Sequence, residues 1–304
     1  MRAIRISAPV GVDGLVYEEA PDPTPAIRDV LVRVHACGIT ADELSWGLYA
    51  DRAGRDRTPL IPGQEFSGVV VALGYGTAGV AVGDEVYGLN DDYRDGAAAE
   101  LMTIEARDVA PAPTTVDHVQ AASLPQAALT SWQALFDHGH LGAGQTALIH
   151  GAAGAVGSIA VQLAKANDAR VIGTGRSSVR SLILDLGADE FVDLEQDAWF
   201  TGVEQCDVVF DTIGGDVLAQ SVSIVRSGGV LVSVASPPPA GRDDIRSIYF
   251  IRHPDGAQLV EIARLVDSGR LRPQVGAVYP LAQAREAFTA KAAGGIPARV
   301  ILQP

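Results

Sequence analysis

Cysteine is nearly absent: Cys37 and Cys206 are the only two in 304 residues. Two thiols cannot build a four-cysteine structural zinc site, and they suit a reducing compartment, so two isolated thiols are expected rather than a disulfide framework. No apolar run approaches the roughly 18 to 20 residues that span a bilayer. The opening stretch MRAIRISAPVG lacks the continuous apolar segment of a secretory signal, and a cytoplasmic protein is expected. Basic residues are scarce, 23 Lys and Arg against 37 Asp and Glu for a net charge of −14. That balance argues against nucleic acid and anionic membrane surfaces as partners. No repeat of roughly 20 to 50 residues is visible, so a solenoid is not expected. The six histidines show no H-x-x-x-H or triad-like grouping.

What is present is a globular composition, 47% hydrophobic and 20% charged, with 33 glycines and 17 prolines. The length exceeds one comfortable core, so two domains are expected. Residues 1–120 hold short β-branched runs, Val30–Val34, Gly68–Ala72 and Asp84–Gly88, punctuated by turn signals at Pro62-Gly63 and Gly83-Asp84. They read as a compact β-rich domain. Over residues 121–269 strand and helix alternate. The strands are Thr146–Ile149, Arg170–Thr174, Cys206–Asp211 and Gly229–Val234, and the helices Ala155–Asn167, Val179–Leu186, Val217–Val225 and Asp255–Ser268. Near-continuous apolar strands separated by helices predict an α/β domain with a doubly wound parallel sheet. The tail, 270–304, returns to short β runs and is expected to join the first domain.

The stretch His150–Ser158, HGAAGAVGS, ends a strand and opens a helix. On a G-x-G-x-x-G spacing Ala152 takes the first position, Gly154 the second and Gly157 the third, with Gly151 just before. The second glycine lets a pyrophosphate approach the backbone, and the third lets helix and strand lie close. The N–H groups from Ala155, Val156 and Gly157 onward then meet the anion. A strand before, a helix after and a second strand closing the unit make a dinucleotide site the better reading than a Gly/Ala-rich packing turn. An NAD site wants Asp or Glu at the end of that second strand. Here Gly173–Arg180, GTGRSSVR, has no carboxylate until Asp185. Gly175, Arg176, Ser177 and Arg180 suit a 2′-phosphate, since arginines at a helix start otherwise oppose its dipole. NADP(H) is the expected cofactor.

The order of parts resembles the medium-chain dehydrogenase/reductase superfamily over essentially the whole chain. Its signposts are Val34–Ile39, Pro62–Gly68, Val82–Val86, Ala128–Trp132, the glycine turn, Leu186–Asp189, and Asp207–Asp211 before Gly214-Gly215. The resemblance implies a Rossmann-type domain plus a GroES-like domain formed by 1–120 and 270–304, with a cleft between them. Where the zinc branch places its catalytic ligands this chain has Thr40, Gln64 and Gln126, poor zinc donors all. It therefore resembles the zinc-free quinone oxidoreductases, and no metal is expected.

That resemblance implies an NADPH-dependent oxidoreductase passing hydride to a quinone or to the β-carbon of an α,β-unsaturated carbonyl. The alternatives are an enoyl-thioester reductase and a non-catalytic NADPH-binding sensor. It also implies site residues. Thr40, Gln64 and Thr130 lie toward the nicotinamide, and Ile213, Gly214, Val234 and Ala235 flank ribose and nicotinamide at strand ends. Phe250 and Ile251 cover the nicotinamide. Arg299 either approaches the cofactor or is a surface charge. No proton donor is marked by spacing: Tyr49, Trp46, Tyr93 and Asp42 are candidates, and water is another, with Thr40, Tyr49 and Gln64 the side chains favoured for chemistry. A homodimer is implied, joined through the sheet of the nucleotide domain at strand 229–234 and the segment after it.

Overall fold

The computed structural model describes residues 1–40, 42–46, 49–294, 296 and 298–304. Gly47 and Leu48 lie outside the described residues. The chain forms two compact units. The first comprises Met1–Gln126, Pro254–Asp267 and Pro273–Pro304, and the second Ala127–His253 and Ser268–Arg272.

In the first unit the leading strands are β1 (Arg2–Ile6), β2 (Leu15–Glu19), β3 (Asp29–Ile39), β4 (Glu65–Leu73), β5 (Glu85–Leu89), β6 (Leu101–Glu105) and β7 (Val109–Pro111). The second unit contributes β8 (Thr146–Ile149), β9 (Arg170–Gly175), β10 (Glu190–Asp193), β11 (Cys206–Asp211), β12 (Val225–Ser233) and β13 (Arg246–Tyr249). The tail adds β14 (Val275–Pro280) and β15 (Arg299–Gln303) to the first unit.

β3 shows why the first unit folds as a sheet. Its alternation turns Val30, Val32 and Val34 into the core and leaves Arg33 and His35 outside, the period of two that a half-buried strand requires. The sheet runs β14-β15-β3-β4-β5-β7, with β6 also on β3. β15 pairs antiparallel with β3, Val300 opposite Ile39 and Leu302 opposite Cys37, and β4 sets Glu65 opposite Gly38. These two registers bring Arg299, Thr40 and Glu65 to one end of the sheet.

The second unit's sheet is wholly parallel, in the order β10-β9-β8-β11-β12-β13. Numbered from β8 this is 3-2-1-4-5-6, the Rossmann order, whose switch point lies beside the first strand.

Three expectations change. The helix over Gly256–Asp267 was grouped by sequence with the nucleotide domain, yet it belongs to the first unit. Its stripe Leu259, Ile262, Ala263 and Val266 is buried, and the wholly buried Tyr87 donates its hydroxyl proton to the Leu259 carbonyl. The strand proposed for dimer pairing, β12, is covered on both sides by β11 and β13, so only the segment after it lies at the sheet's edge. Finally β10 and β13, both short and rich in polar residues, escaped the apolar-run criterion.

Candidate active site

The turn after β8 is built around Gly151, whose backbone sits at φ 65°. The left-handed position is thus 151 and not 152. Ala152 is buried, with its N–H bonded to the Thr174 carbonyl at 3.0 Å, and an alanine costs nothing there. Gly154 caps the helix Ala155–Ala166 from an extended conformation. A Cβ at Gly154 would meet only the Gly151 oxygen, at 3.2 Å, so the glycine leaves open surface where a side chain would stand. The first turn presents the N–H groups of Ala155, Val156 and Gly157, which a helix leaves without internal partners. Ser131 bonds the Val156 carbonyl at 2.9 Å and holds that turn from behind.

Two further strand ends are fixed by one carboxylate. Asp211, at the end of β11 and fully buried, accepts from the N–H groups of Ile213 and Gly214 and from the Ser233 hydroxyl at 2.8 Å. Ser233 in turn accepts from the Ala235 N–H at 3.2 Å. The loops carrying Ile213, Gly214, Val234 and Ala235 are therefore locked to one another. Sequence reasoning quoted Asp211 only as a signpost. An Asp before Thr-Ile-Gly-Gly is also the pattern of a side chain capping its own turn, and that signal was available. Phe250 and Ile251 are split: Phe250 is buried against the His138 ring, centroids 4.5 Å apart, while Ile251 is exposed. The same contact leaves His138 half-buried.

His150 underlies the glycine turn. It is wholly buried, with Nδ1 at 2.8 Å from the Thr174 hydroxyl and Nε2 at 2.8 Å from the Ser221 hydroxyl. Burial pushes its pKa down from 6.5 to about 3. Between those values the unfolded chain binds a proton the folded chain refuses, so stability falls as pH drops below about 6.5. At pH 5 the loss is about 2 kcal/mol. His150→Gln is expected to narrow the gap between thermal midpoints at pH 8 and pH 5, and an unchanged gap would refute the assignment.

A second polar cluster lies in the first unit. Arg299 is 3% exposed and its Nε lies 2.6 Å from the Glu65 carboxylate, itself fully buried. The alternative of a surface charge is thus overturned, because the β15–β3 register buries residue 299. Arg299 Nη1 donates to the Thr40 hydroxyl at 2.8 Å, that hydroxyl lies 3.4 Å from Gln126 Oε1, and Gln126 N donates to Glu65 at 2.8 Å. Glu43, fully buried, accepts from the N–H groups of Thr40 at 2.7 Å and Gly63 at 2.9 Å. Burial raises its pKa to about 7. Glu43 stands outside the residues expected from sequence, although Thr40-x-x-Glu43 has the spacing by which a glutamate reaches back to an N–H three residues earlier. Gln64 is buried with its side-chain carbonyl oxygen unpartnered. Tyr49 donates its hydroxyl proton to the Leu44 carbonyl at 3.0 Å, and Tyr93 lies beneath the Arg52 guanidinium.

At the end of β9, Gly175 is half-buried and Arg176, Ser177 and Arg180 are exposed. Arg180 lies over the Phe191 ring, 5.3 Å from its centroid. Thr130 is buried in the helix Pro125–Trp132 of which all but the first two residues belong to the second unit.

Residues 26–114 match the alcohol dehydrogenase GroES-like domain family, and 186–302 the family described as zinc-binding dehydrogenase. A probable zinc-binding oxidoreductase, mitochondrial, of Arthroderma benhamiae is 31% identical over 95% of this chain and 93% of its own. The chain belongs to the medium-chain dehydrogenase/reductase superfamily. Within it, the quinone oxidoreductase from Coxiella burnetii superposes with a TM-score of 0.90 at 26% identity, covering 100% of this chain and 99% of the other. An NAD(P)H oxidoreductase of Danio rerio, mitochondrial by name, is 28% identical over 86% of this chain and 80% of its own. This member lies in the quinone oxidoreductase branch, and it is an oxidoreductase of an NAD(P)H-dependent family. A dinucleotide fits its glycine turn, which offers open backbone at Gly154 and helix N–H donors. Zinc does not fit its first unit: Glu65 faces a guanidinium, and among the described residues no group of three His, Cys, Asp or Glu gathers to hold a metal.

Proposed function

We propose that this chain is an NADPH-dependent, zinc-independent reductase that delivers hydride to a quinone or to the β-carbon of an α,β-unsaturated carbonyl. The observation that carries the reading is the buried Arg299–Glu65 pair beside Thr40, Gln64 and Gln126. Catalytic zinc needs thiolate, imidazole or carboxylate donors, and a cation 2.6 Å from the one carboxylate opposes a second cation there. Without a Lewis acid to hold an alkoxide, an acceptor that is already electron-poor suits this chain better than an alcohol.

NADPH, when bound, supplies the hydride. The chain's own residues bind and orient. The N–H groups of Ala155, Val156 and Gly157 hold the pyrophosphate. Arg176 and Arg180 neutralise the 2′-phosphate. The Asp211–Ser233 lock fixes the loops of Ile213, Gly214, Val234 and Ala235 at the strand ends, where doubly wound sheets take their ligands. Tyr49 is committed to Leu44, and on this reading water supplies the proton to the reduced acceptor.

The test is NADPH consumption with 1,4-benzoquinone and with an α,β-unsaturated ketone, both with a chelator present. Turnover undiminished by the chelator is expected with at least one acceptor. No turnover, or activity that returns only with added zinc, overturns the proposal. Tight NADPH binding without turnover would favour a sensor, and turnover restricted to enoyl-thioesters the other enzyme reading.

A further inference from the structure

The end of β9 holds a carboxylate that its local sequence does not reveal. Glu195 lies in the turn after β10, and one of its oxygens accepts from both the Ser177 N–H at 3.1 Å and the Ser177 hydroxyl at 2.9 Å. Two backbone-anchored contacts fix the turn. The Glu195 N–H bonds the Asp193 carboxylate at 3.0 Å, and the Leu194 N–H bonds the Gly175 carbonyl at 2.9 Å. The two donors of Ser177, and then the neighbouring Arg176, hold the Glu195 carboxyl below its ordinary range. The other charges near this point are Arg180, laid over Phe191 of β10, and the Asp193 carboxylate.

Ser177 and Arg176 are the groups expected to meet the substituent on the adenosine ribose. A 2′-phosphate would need the donors that Glu195 already occupies, and its charge of about −1.5 to −2 would face a carboxylate. A 2′-hydroxyl has the opposite relation to Glu195, because it can donate to the carboxylate as ribose hydroxyls do at NAD sites.

We propose that Glu195 is a residue determining selectivity between NADPH and NADH. Its carboxylate occupies the Ser177 donors, weakens NADPH relative to what Arg176 and Arg180 alone would give, and accepts from the ribose hydroxyl of NADH. The proposal rests on the reading above, that a nicotinamide dinucleotide lies on the Gly151–Gly157 turn with its ribose at the end of β9. It differs from the familiar arrangement in that the acid comes from the next strand.

The experiment measures dissociation constants of NADPH and NADH for the whole chain and for Glu195→Gln, at low and at high salt. Glutamine keeps an oxygen for Ser177 and removes only the charge, and at this exposed turn it leaves the fold intact. Removing a unit charge near a phosphate at an exposed site should be worth roughly tenfold in affinity. The expected result is a ratio Kd(NADH)/Kd(NADPH) raised roughly tenfold, mostly through tighter NADPH, with the gain shrinking in high salt. An unchanged ratio in Glu195→Gln, while Arg176→Ala still weakens NADPH selectively, overturns the proposal and leaves the underlying reading standing. Failure of the wild-type chain to bind either nucleotide overturns both.

Discussion

Arg299→Met lowers the thermal midpoint by on the order of 10 °C, and adding Glu65→Gln restores most of it. The guanidinium sits 2.6 Å from a carboxylate that is wholly out of solvent. Methionine fills much of the same space and leaves that carboxylate facing an apolar side chain. Breaking a buried ion pair in this way costs about 3–5 kcal/mol, whereas replacing both partners is often close to neutral. For a chain of this size each kcal/mol moves the midpoint by roughly 2–4 °C. The loss includes the bond from Arg299 to the Thr40 hydroxyl, so recovery in the double variant stays incomplete. The measurement is calorimetric unfolding of the wild type, both single variants and the double variant. Losses that simply add would show the pair is not coupled.

Gly157→Val abolishes useful NADPH binding, raising Kd by about a hundredfold or more. A Cβ at 157 would lie 2.7 Å from the Gly151 carbonyl carbon and 2.8 Å from the Ala152 Cα, both backbone atoms that cannot rotate away. The Gly151 peptide must therefore shift, and Thr212 stands behind it, with its hydroxyl 2.5 Å from where a Gly151 Cβ would fall. Overpacking of this kind costs about 1–3 kcal/mol in stability. The larger effect falls on binding, since a displacement of about 1 Å in a positioned group can cost a hundredfold. Fluorescence titration with NADPH, on protein shown to be folded by circular dichroism, checks the outcome. Wild-type affinity in a folded variant would refute the role given to the turn.

Much of the fold was legible because its signals are local. HGAAGAVGS marks a strand-turn-helix through spacing alone, and the apolar runs at 146–149, 170–174 and 206–211 need no partner to be read as buried strands. What stayed hidden depends on pairing. β10 and β13 are too short and polar to stand out by themselves, and they become strands because β9 and β12 offer open edges. The helix Gly256–Asp267 has the same amphipathic stripe in either unit, and its bonds to the first unit, from the Tyr87 hydroxyl to Leu259 and from Thr114 and Thr115 to Asp267, decide which one takes it.

By itself the sequence determined the α/β class, the two-domain plan, the dinucleotide turn and the poverty of zinc donors at Thr40, Gln64 and Gln126. The first three follow from residue type and short-range spacing, and the last from residue type at the positions that the family resemblance points to. The tertiary structure alone decided that Arg299 is a buried partner of Glu65, and that the buried Glu43 reaches the Gly63 N–H. It alone put a carboxylate from after β10 at the end of β9. The physical reason is common to all three. A charge's role is set by the dielectric around it and by the groups within about 3 Å, and the deciding partners here, Ser177, Gly63 and Glu65, lie 18 to more than 200 residues away in sequence.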